Sequence, residues 1–372
     1  MKKKQRFYTI FPRSENVHLT KDVGMIPYIF YKFFEKDSIL VTYKNCEEYN
    51  YLQNEVKGLK IEFLEKRTSG RNLDLLIFIL KNFRRIDILQ MYHLEVDQLD
   101  VLGVYIILRK LFFKKSYTWI KCDGSSRFTL TNMEDIRFKF IRKWILNSID
   151  LYSVETSKDY EIIRSIDFYK NINLRLIPNG FFDYNNRSKL LPSKEKIILT
   201  VGRLGTFQKN TEFLLEAFRE LAKNDKEWKL ILIGSLEEDF KNEFLANFTK
   251  ENSDIMERIF FTGPISDRVV LKQYYERAAV FILTSRDEGS PLVIPEAISM
   301  GCYCLFSDMI NLKGDIKYSS FFSLENHSEL VTKIHMLNNT DFDSLKYKIQ
   351  DIAYSDFYWP RVLKSIDDEI KR

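Results

Sequence analysis

Several hallmarks of other protein classes are scarce or missing in this 372-residue chain. Its four cysteines form no CxxC pair, which argues against a metal framework or a disulfide scaffold and favours reduced, buried thiols. No run approaches about 18 uncharged apolar residues, so we expect no membrane-spanning helix. The basic N-terminus lacks the apolar core and small-residue cleavage site of a signal peptide. We therefore expect a cytoplasmic protein.

Two cofactor signals are missing as well. No GxGxxG follows any predicted strand, which argues against a nicotinamide-dependent dehydrogenase. No DxD motif stands at a predicted strand end, so we expect neither a metal nor any other cofactor.

The charges are divided unevenly between the two halves of the chain. Residues 1–180 hold 31 Lys and Arg against 22 Asp and Glu, whereas residues 181–372 hold 26 against 30. A basic half suggests an anionic partner on one side only. We expect no nucleic-acid partner, because there is no helix-turn-helix, RRM or zinc signature and the pI of 8.7 is modest.

Short apolar runs alternate with amphipathic stretches, which predicts an α/β fold with parallel sheets covered on both faces. In the first half we predict strands at 6–12, 38–44, 60–65, 86–93, 116–122, 151–156 and 173–178, with helices at 25–36, 72–84 and 97–113. In the second half we predict strands at 196–203, 228–235, 258–264, 280–286 and 302–308, with a helix at 211–224.

The length fits two domains, since about 150 residues per domain is usual. We predict a first Rossmann-like domain at 1–180, a linker at 181–195 that is polar and holds Pro192, and a second Rossmann-like domain at 196–356. A C-terminal helix at 357–372 is expected to pack back toward the first domain. In doubly wound sheets ligands bind outside the carboxyl ends of the strands, so two such domains facing each other would place the active site in the cleft between them.

Two carboxylates stand at the end of the most apolar predicted strand. Glu288 follows it in a loop, and Glu296 lies eight residues on, in the next helix. Between them, Gly289 and Ser290 precede the helix, where free N–H groups and the helix dipole suit a diphosphate. Ionised carboxylates accept hydrogen bonds, which suits sugar and ribose hydroxyls. Alone, such a pair is also typical of a helix cap and a surface residue.

A second cluster follows the first strand of the same half. Gly202-Arg203-Leu204-Gly205 ends that strand, and Lys209 comes just before the next helix. Two cations beside glycines that permit close approach could clamp a diphosphate. Alone, they are also typical of a solvated loop.

In this combined order the chain resembles retaining GT-B glycosyltransferases of the family 4 type. The matching stretches are VGRLGTFQKNTEFLLEAF, LILIG, RIFFTGPI, AAVFILTSRDEGSPLVIPEAISMGCYCLFSD and FYWPRV, all within residues 173–372. The resemblance implies that Arg203 and Lys209 bind the donor diphosphate, that Glu288 contacts the transferred sugar and that Glu296 contacts the ribose. It also implies donor contacts from the backbone of Gly289, Ser290 and Leu292, and a nucleobase bordered by Gly263.

Over the first half the resemblance is looser. It implies that Gly24, at a predicted helix start, comes close to the donor phosphates. Many members of the family place a histidine after the strand that here ends in Lys121-Cys122-Asp123, where this chain has none. Asp123, and His93 at the end of the preceding strand, are therefore our candidates for acceptor-side catalytic groups; an ordinary packing role for His93 stays open.

The resemblance implies a retaining transfer from a nucleotide sugar, expected to be UDP-linked, to a saccharide acceptor in bacterial surface-polysaccharide assembly. The alternative is a non-catalytic GT-B subunit that binds acceptor for another transferase, although such proteins lose the donor clamp that this chain keeps. The stretch 137–144 interleaves cations with Phe, Ile and Trp. If it forms a basic amphipathic helix, it would attach the protein reversibly to an anionic membrane on the cytoplasmic side, near a polyprenyl-linked acceptor; a core-packing helix with a solvated basic side is the other possibility.

Overall fold

The structure is a computed structural model that describes residues 4–67, 71–93, 96–122, 138–184, 190–310 and 316–371. By its internal contacts the chain divides into two compact units. The first comprises Met1–Phe182 together with Trp359–Arg372, and the second comprises Asp183–Tyr358.

The first unit is a seven-stranded parallel sheet with helices between the strands. Its strands are β1 (Arg6–Ile10), β2 (Asp37–Thr42), β3 (Lys60–Phe63), β4 (Ile88–Tyr92), β5 (Tyr117–Lys121), β6 (Leu151–Val154) and β7 (Leu174–Leu176). Its helices before the crossing to the second unit are α1 (Asp22–Phe33), α2 (Tyr51–Asn54), α3 (Arg71–Asn82), α4 (Val96–Leu111), α5 (Lys139–Asn147) and α6 (Ser157–Ser165). The strand order is β3-β2-β1-β4-β5-β6-β7, so the winding reverses between β1 and β4.

The second unit is a six-stranded parallel sheet. Its strands are β8 (Glu195–Val201), β9 (Lys229–Ile233), β10 (Ile259–Gly263), β11 (Ala278–Leu283), β12 (Tyr303–Ser307) and β13 (Ser319–Phe322). Its helices are α7 (Thr211–Asn224), α8 (Ala246–Glu251), α9 (Arg268–Arg277), α10 (Val293–Ser299), α11 (His327–Met336) and α12 (Phe342–Ile352). The order β10-β9-β8-β11-β12-β13 places the winding reversal between β8 and β11, the point at which such sheets bind ligands.

The local sequence explains these elements. All six residues of β11 are buried, as expected for a central parallel strand covered on both faces. Helix α7 turns Leu214, Phe218 and Leu221 into the core at helical spacing. Helix α9 begins where the Asp267 side chain accepts hydrogen bonds from the N–H groups of two following residues, at 2.8 and 3.2 Å.

The last described segment belongs to the first unit. It forms α13 (Trp359–Val362) and α14 (Lys364–Ile370). The Trp359 N–H donates to the carbonyl oxygen of Phe181 at 3.0 Å. Lys36 Nζ lies 3.2 Å from Asp367 Oδ1, and both side chains are buried. This ion pair fastens the returning segment to α1 and β2, which flank Lys36.

The predicted fold class is confirmed: two parallel sheets with intervening helices. Each predicted strand is present. β13 is the strand that the sequence analysis missed, because it is a four-residue edge strand that begins with two serines and, among the described strands, pairs with β12 alone. Within the described parts of the chain, no helix combines the length and apolarity needed to cross a bilayer.

Candidate active site

A largely buried ion pair lies at the carboxyl edge of the second sheet, where the winding reverses. Lys209 precedes α7 and Glu288 follows β11, and the lysine ammonium contacts Glu288 Oε1. The Lys209 side chain is 17% exposed and that of Glu288 is 9% exposed. The Ser285 hydroxyl donates to the same carboxylate oxygen at 2.8 Å. The structure thus joins two groups that the sequence places 79 residues apart.

The two loops that carry this pair are bonded to each other. The Arg286 N–H donates to the Gln208 carbonyl at 2.8 Å, and the Gln208 side-chain amide donates to the Asp287 carbonyl at 2.9 Å. Arg203, in the same loop as Gln208, lies within 3.5 Å of its side-chain oxygen. These bonds hold the predicted clamp cations beside the predicted sugar-binding carboxylate.

Gly234 permits the close approach of β8 and β9 beneath this loop. A Cβ atom at Gly234 would lie 1.7 Å from the carbonyl oxygen of Gly202, and its φ of 145° is in the region that favours glycine. Any larger residue would displace the backbone that leads into Arg203.

Glu296 holds a different cation. It lies in α10 and contacts the guanidinium of Arg268, the first residue of α9. The Tyr275 hydroxyl donates to Glu296 Oε2 at 3.4 Å. Burial and the neighbouring Glu296 raise the pKa of Tyr275 well above its ordinary value, so this phenol stays a donor.

The remaining donor-side candidates lie around these carboxylates. Gly289, Ser290 and Leu292 are partly buried in the turn before α10. Gly263 ends β10 with a φ of 73°, and a Cβ atom there would meet no atom within 4 Å. Gly263 is therefore required by its backbone conformation and not by packing, and the space beside it is open.

In the first unit, Gly24 packs closely against the backbone of Leu19. A Cβ atom at Gly24 would lie 2.3 Å from the carbonyl oxygen of Leu19. The glycine lets the short turn at 16–20 pack against α1. Within that turn the Glu15 N–H donates to His18 Nδ1 at 2.9 Å. Burial and the nearby Lys21 lower the pKa of His18.

A buried lysine dominates the carboxyl edge of the first sheet. Lys121 ends β5 and is wholly buried; its ammonium lies 3.0 Å from Asp22 Oδ2, contacts Glu155 and donates to Asn179 Oδ1 at 3.1 Å. Burial alone would lower the pKa of Lys121, and the carboxylates of Asp22 and Glu155 outweigh it and raise that pKa. The sequence analysis missed Glu155 and Asp22, although each stands at a strand end or a helix start.

His93 lies beside this cluster. It follows β4 with a φ of 57°, and its N–H donates to the Lys121 carbonyl at 3.1 Å. Its ring centroid is 5.9 Å from that of Phe11. A left-handed backbone is uncommon for residues other than glycine, although histidine adopts it more often than most, and such conformations often occur at functional sites. Asp123, the other acceptor-side candidate, lies outside the described residues.

The chain does contain one DxD tripeptide, Asp341-Phe342-Asp343, away from the predicted strand ends. Asp341 caps α12 by accepting from the Ser344 N–H at 3.1 Å, and Asp343 lies 2.8 Å from Lys346 Nζ. Phe342 packs in the core of the second unit. Both carboxylates thus stabilise the first turn of α12.

Comparison with known proteins relates the second half of the chain to a sequence family. Residues 195–337 match the family described as Glycosyl transferases group 1. A protein of Haemophilus influenzae described as an uncharacterized glycosyltransferase is 30% identical over 175 residues, which are 45% of this chain and 47% of that protein. The amylovoran biosynthesis glycosyltransferase AmsD of Erwinia amylovora is 29% identical over 245 residues, 64% of each chain. The chain thus spans less than two thirds of the length of these relatives.

Solved structures share the fold over nearly the whole length. HepE of Anabaena, solved in complex with UDP, matches with a TM-score of 0.70 and 13% identity, covering 99% of both chains. At this identity the likeness shows the fold alone, and it agrees with the two Rossmann-like sheets predicted from the sequence.

Proposed function

We propose that this chain is a glycosyltransferase that moves a sugar from a UDP sugar to a saccharide acceptor with retention of anomeric configuration. The observation that carries the proposal is the Lys209–Glu288 pair at the winding reversal of the second sheet. It lies within the segment that matches a glycosyltransferase family. The name of AmsD and the UDP bound to HepE support a nucleotide-sugar donor and a role in polysaccharide assembly.

The donor would bind at the carboxyl edge of the second sheet. Arg203 and Lys209 would neutralise the diphosphate as it leaves, which is the electrostatic role that cations serve in such a transition state. Glu288 would accept hydrogen bonds from the transferred sugar and Glu296 from the ribose. The loop at 289–292 would supply backbone contacts.

In a retaining transfer the bond between the sugar C1 and the phosphate oxygen breaks, and the acceptor oxygen bonds to C1 from the same face. The acceptor proton passes to the departing phosphate oxygen. No protein base is required on that route, and we expect no metal because Arg203 and Lys209 would neutralise the leaving group. His93 would then orient acceptor hydroxyls, and the buried Lys121 cluster would support the strand end to which the His93 N–H is bonded.

For the acceptor we propose a lipid-linked saccharide, with polyprenyl as the lipid, met at the cytoplasmic surface of an anionic membrane. The basic balance of the first half supports this proposal.

Nucleotide binding provides the test. A ligand at about 100 times its dissociation constant stabilises a protein by about 2.7 kcal/mol, so a panel of nucleotides and nucleotide sugars should raise the melting temperature only where the donor site accepts them. Calorimetry with UDP should then show weaker binding by Lys209→Met and Arg203→Met.

A matched control is Lys196→Met, because Lys196 is an ion-paired lysine of the same sheet that lies at the opposite end of β8 and contacts Glu227. It should bind UDP like the unaltered protein, and EDTA should change none of these affinities. The proposal fails if no nucleotide stabilises the protein, or if the variants at 203 and 209 bind UDP as tightly as the control.

A further inference from the structure

Three helices of the first unit cover one side of its sheet, and their outward side is unusually apolar. Helix α3 contacts α4, and α4 contacts α5. Inward residues such as Ile79, Tyr105 and Ile145 belong to the buried core. The outward side, here called the outer face, exposes Leu80, Ile107, Leu111, Phe113, Phe140 and Trp144. A solvent-facing helix surface is normally polar, so a group of exposed apolar side chains of this kind indicates a binding partner.

Two exposed phenylalanines on this face also have a disfavoured backbone. Phe113 follows α4 with a φ of 49° and is 94% exposed, and Phe138 precedes α5 with a φ of 64° and is 64% exposed. Next to Phe113, the Lys114 N–H closes the helix on the Arg109 carbonyl at 2.8 Å, at a position where glycine is usual. Exposure and left-handed conformation are each unfavourable for phenylalanine, which points to a function for these side chains.

Cations lie against the aromatic rings of the outer face. Lys110 Nζ is 4.5 Å from the centre of the Trp144 ring, and the Arg84 guanidinium is 5.1 Å from that of Phe112. These contacts place positive charge on the same surface as the exposed aromatic side chains.

The outer face carries charge of nearly one sign. Its exposed cations include Arg84, Lys110, Lys115 and Lys139. Among the described side chains of the three helices and the turns after them, Asp100 is the one exposed carboxylate, and it lies 3.2 Å from Arg142 Nη2. Such a face would repel its own copy across a two-fold axis, where like patches meet.

We infer that the outer face rests on an anionic lipid bilayer, with Phe113, Phe140 and Trp144 at the boundary between headgroups and acyl chains and the cations at lipid phosphates. Exposed aromatic and aliphatic groups beside lysines and arginines match that interface, and attraction to anionic lipid adds to the burial of apolar area. The inference deepens the proposed function, since it assigns the surface by which a lipid-linked acceptor would be met, but it does not depend on sugar transfer.

The test is co-sedimentation of the full chain with vesicles of phosphatidylcholine alone or mixed equally with phosphatidylglycerol, at low and high salt. We expect binding at least about tenfold tighter to the anionic vesicles, weakened by salt. The double variant Phe113→Ser, Phe140→Ser should lose at least about tenfold of that binding. Met336→Ser is the matched control, because Met336 is 74% exposed but lies in the second unit.

Calorimetry with UDP on the same variants separates the two proposals. Unchanged UDP binding together with lost vesicle binding supports the outer face as the membrane surface, and failure of UDP to bind while vesicle binding persists overturns only the proposed function. Equal affinity for both vesicle types, binding to neither, or equal losses in the Phe and Met variants would overturn the inference. So would a dimer in light scattering that the Phe variant abolishes.

Discussion

Replacing Glu288 by Gln tests the meaning of its ion pair with Lys209. At an effective dielectric constant of about 20, two unit charges about 4 Å apart attract by about 4 kcal/mol. Without a ligand, Lys209 is ion-paired with Glu288. A diphosphate that binds Lys209 therefore has to compete with the Glu288 carboxylate. Gln keeps the shape and can still hydrogen-bond to Lys209 and Ser285, but it removes the competing charge.

We therefore expect Glu288→Gln to bind UDP up to about tenfold more tightly, because about 1.4 kcal/mol of the attraction becomes available to the ligand. A UDP sugar should gain less than UDP, since its hydroxyls lose an ionised acceptor, and turnover should fall. Glu288→Ala leaves Lys209 without its counter-ion, so it should lower the unfolding free energy by about 3 kcal/mol. Titration calorimetry with UDP and UDP sugars, and chemical denaturation, measure these quantities. If Gln at 288 weakens UDP binding, the competition argument is wrong.

Three more predictions concern other charged groups. Arg268→Leu should release Glu296 and change nucleoside binding, measured with uridine by calorimetry, without altering the affinity for inorganic diphosphate. Lys121→Met should destabilise the first unit by about 3–5 kcal/mol in urea unfolding, since it leaves two carboxylates without their cation; a smaller loss than about 1 kcal/mol would contradict the buried network. The pKa of His18 is lowered in the folded protein, so the unfolded chain binds a proton first as pH falls and stability should drop below about pH 6.5. His18→Asn should flatten that decline in unfolding free energy, and an unchanged pH profile would refute the assignment.

The fold could be predicted because its strands are central and parallel. A strand covered on both faces is a continuous apolar run, such as the one in β11, and its turns are marked by glycine or proline. β13 has neither the length nor the apolar run: it has four residues and, within the described ranges, pairs along one edge with β12. Its place is set by β12 and not by its own sequence.

The residues of the candidate site could be predicted from the sequence, but the contacts between them could not. Arg203, Lys209, Glu288 and Glu296 stand out by their place after strands. That Lys209 bonds Glu288 follows from the adjacency of β8 and β11, which are separated by two strands in sequence. The pairing also has a consequence for stability, because an alanine at 288 would leave a largely buried cation without its counter-ion.

The return of the chain to the first unit has a consequence for how that unit is made. Lys36 is buried within the first 40 residues, and its carboxylate partner, Asp367, is synthesised more than 300 residues later. A nascent chain that holds all seven strands of the first sheet therefore still lacks the counter-ion of Lys36, and it cannot reach its final stability while the second sheet is being translated. The second unit is contiguous between residues 183 and 358 and has no such dependence. During synthesis the second unit is thus completed before the first.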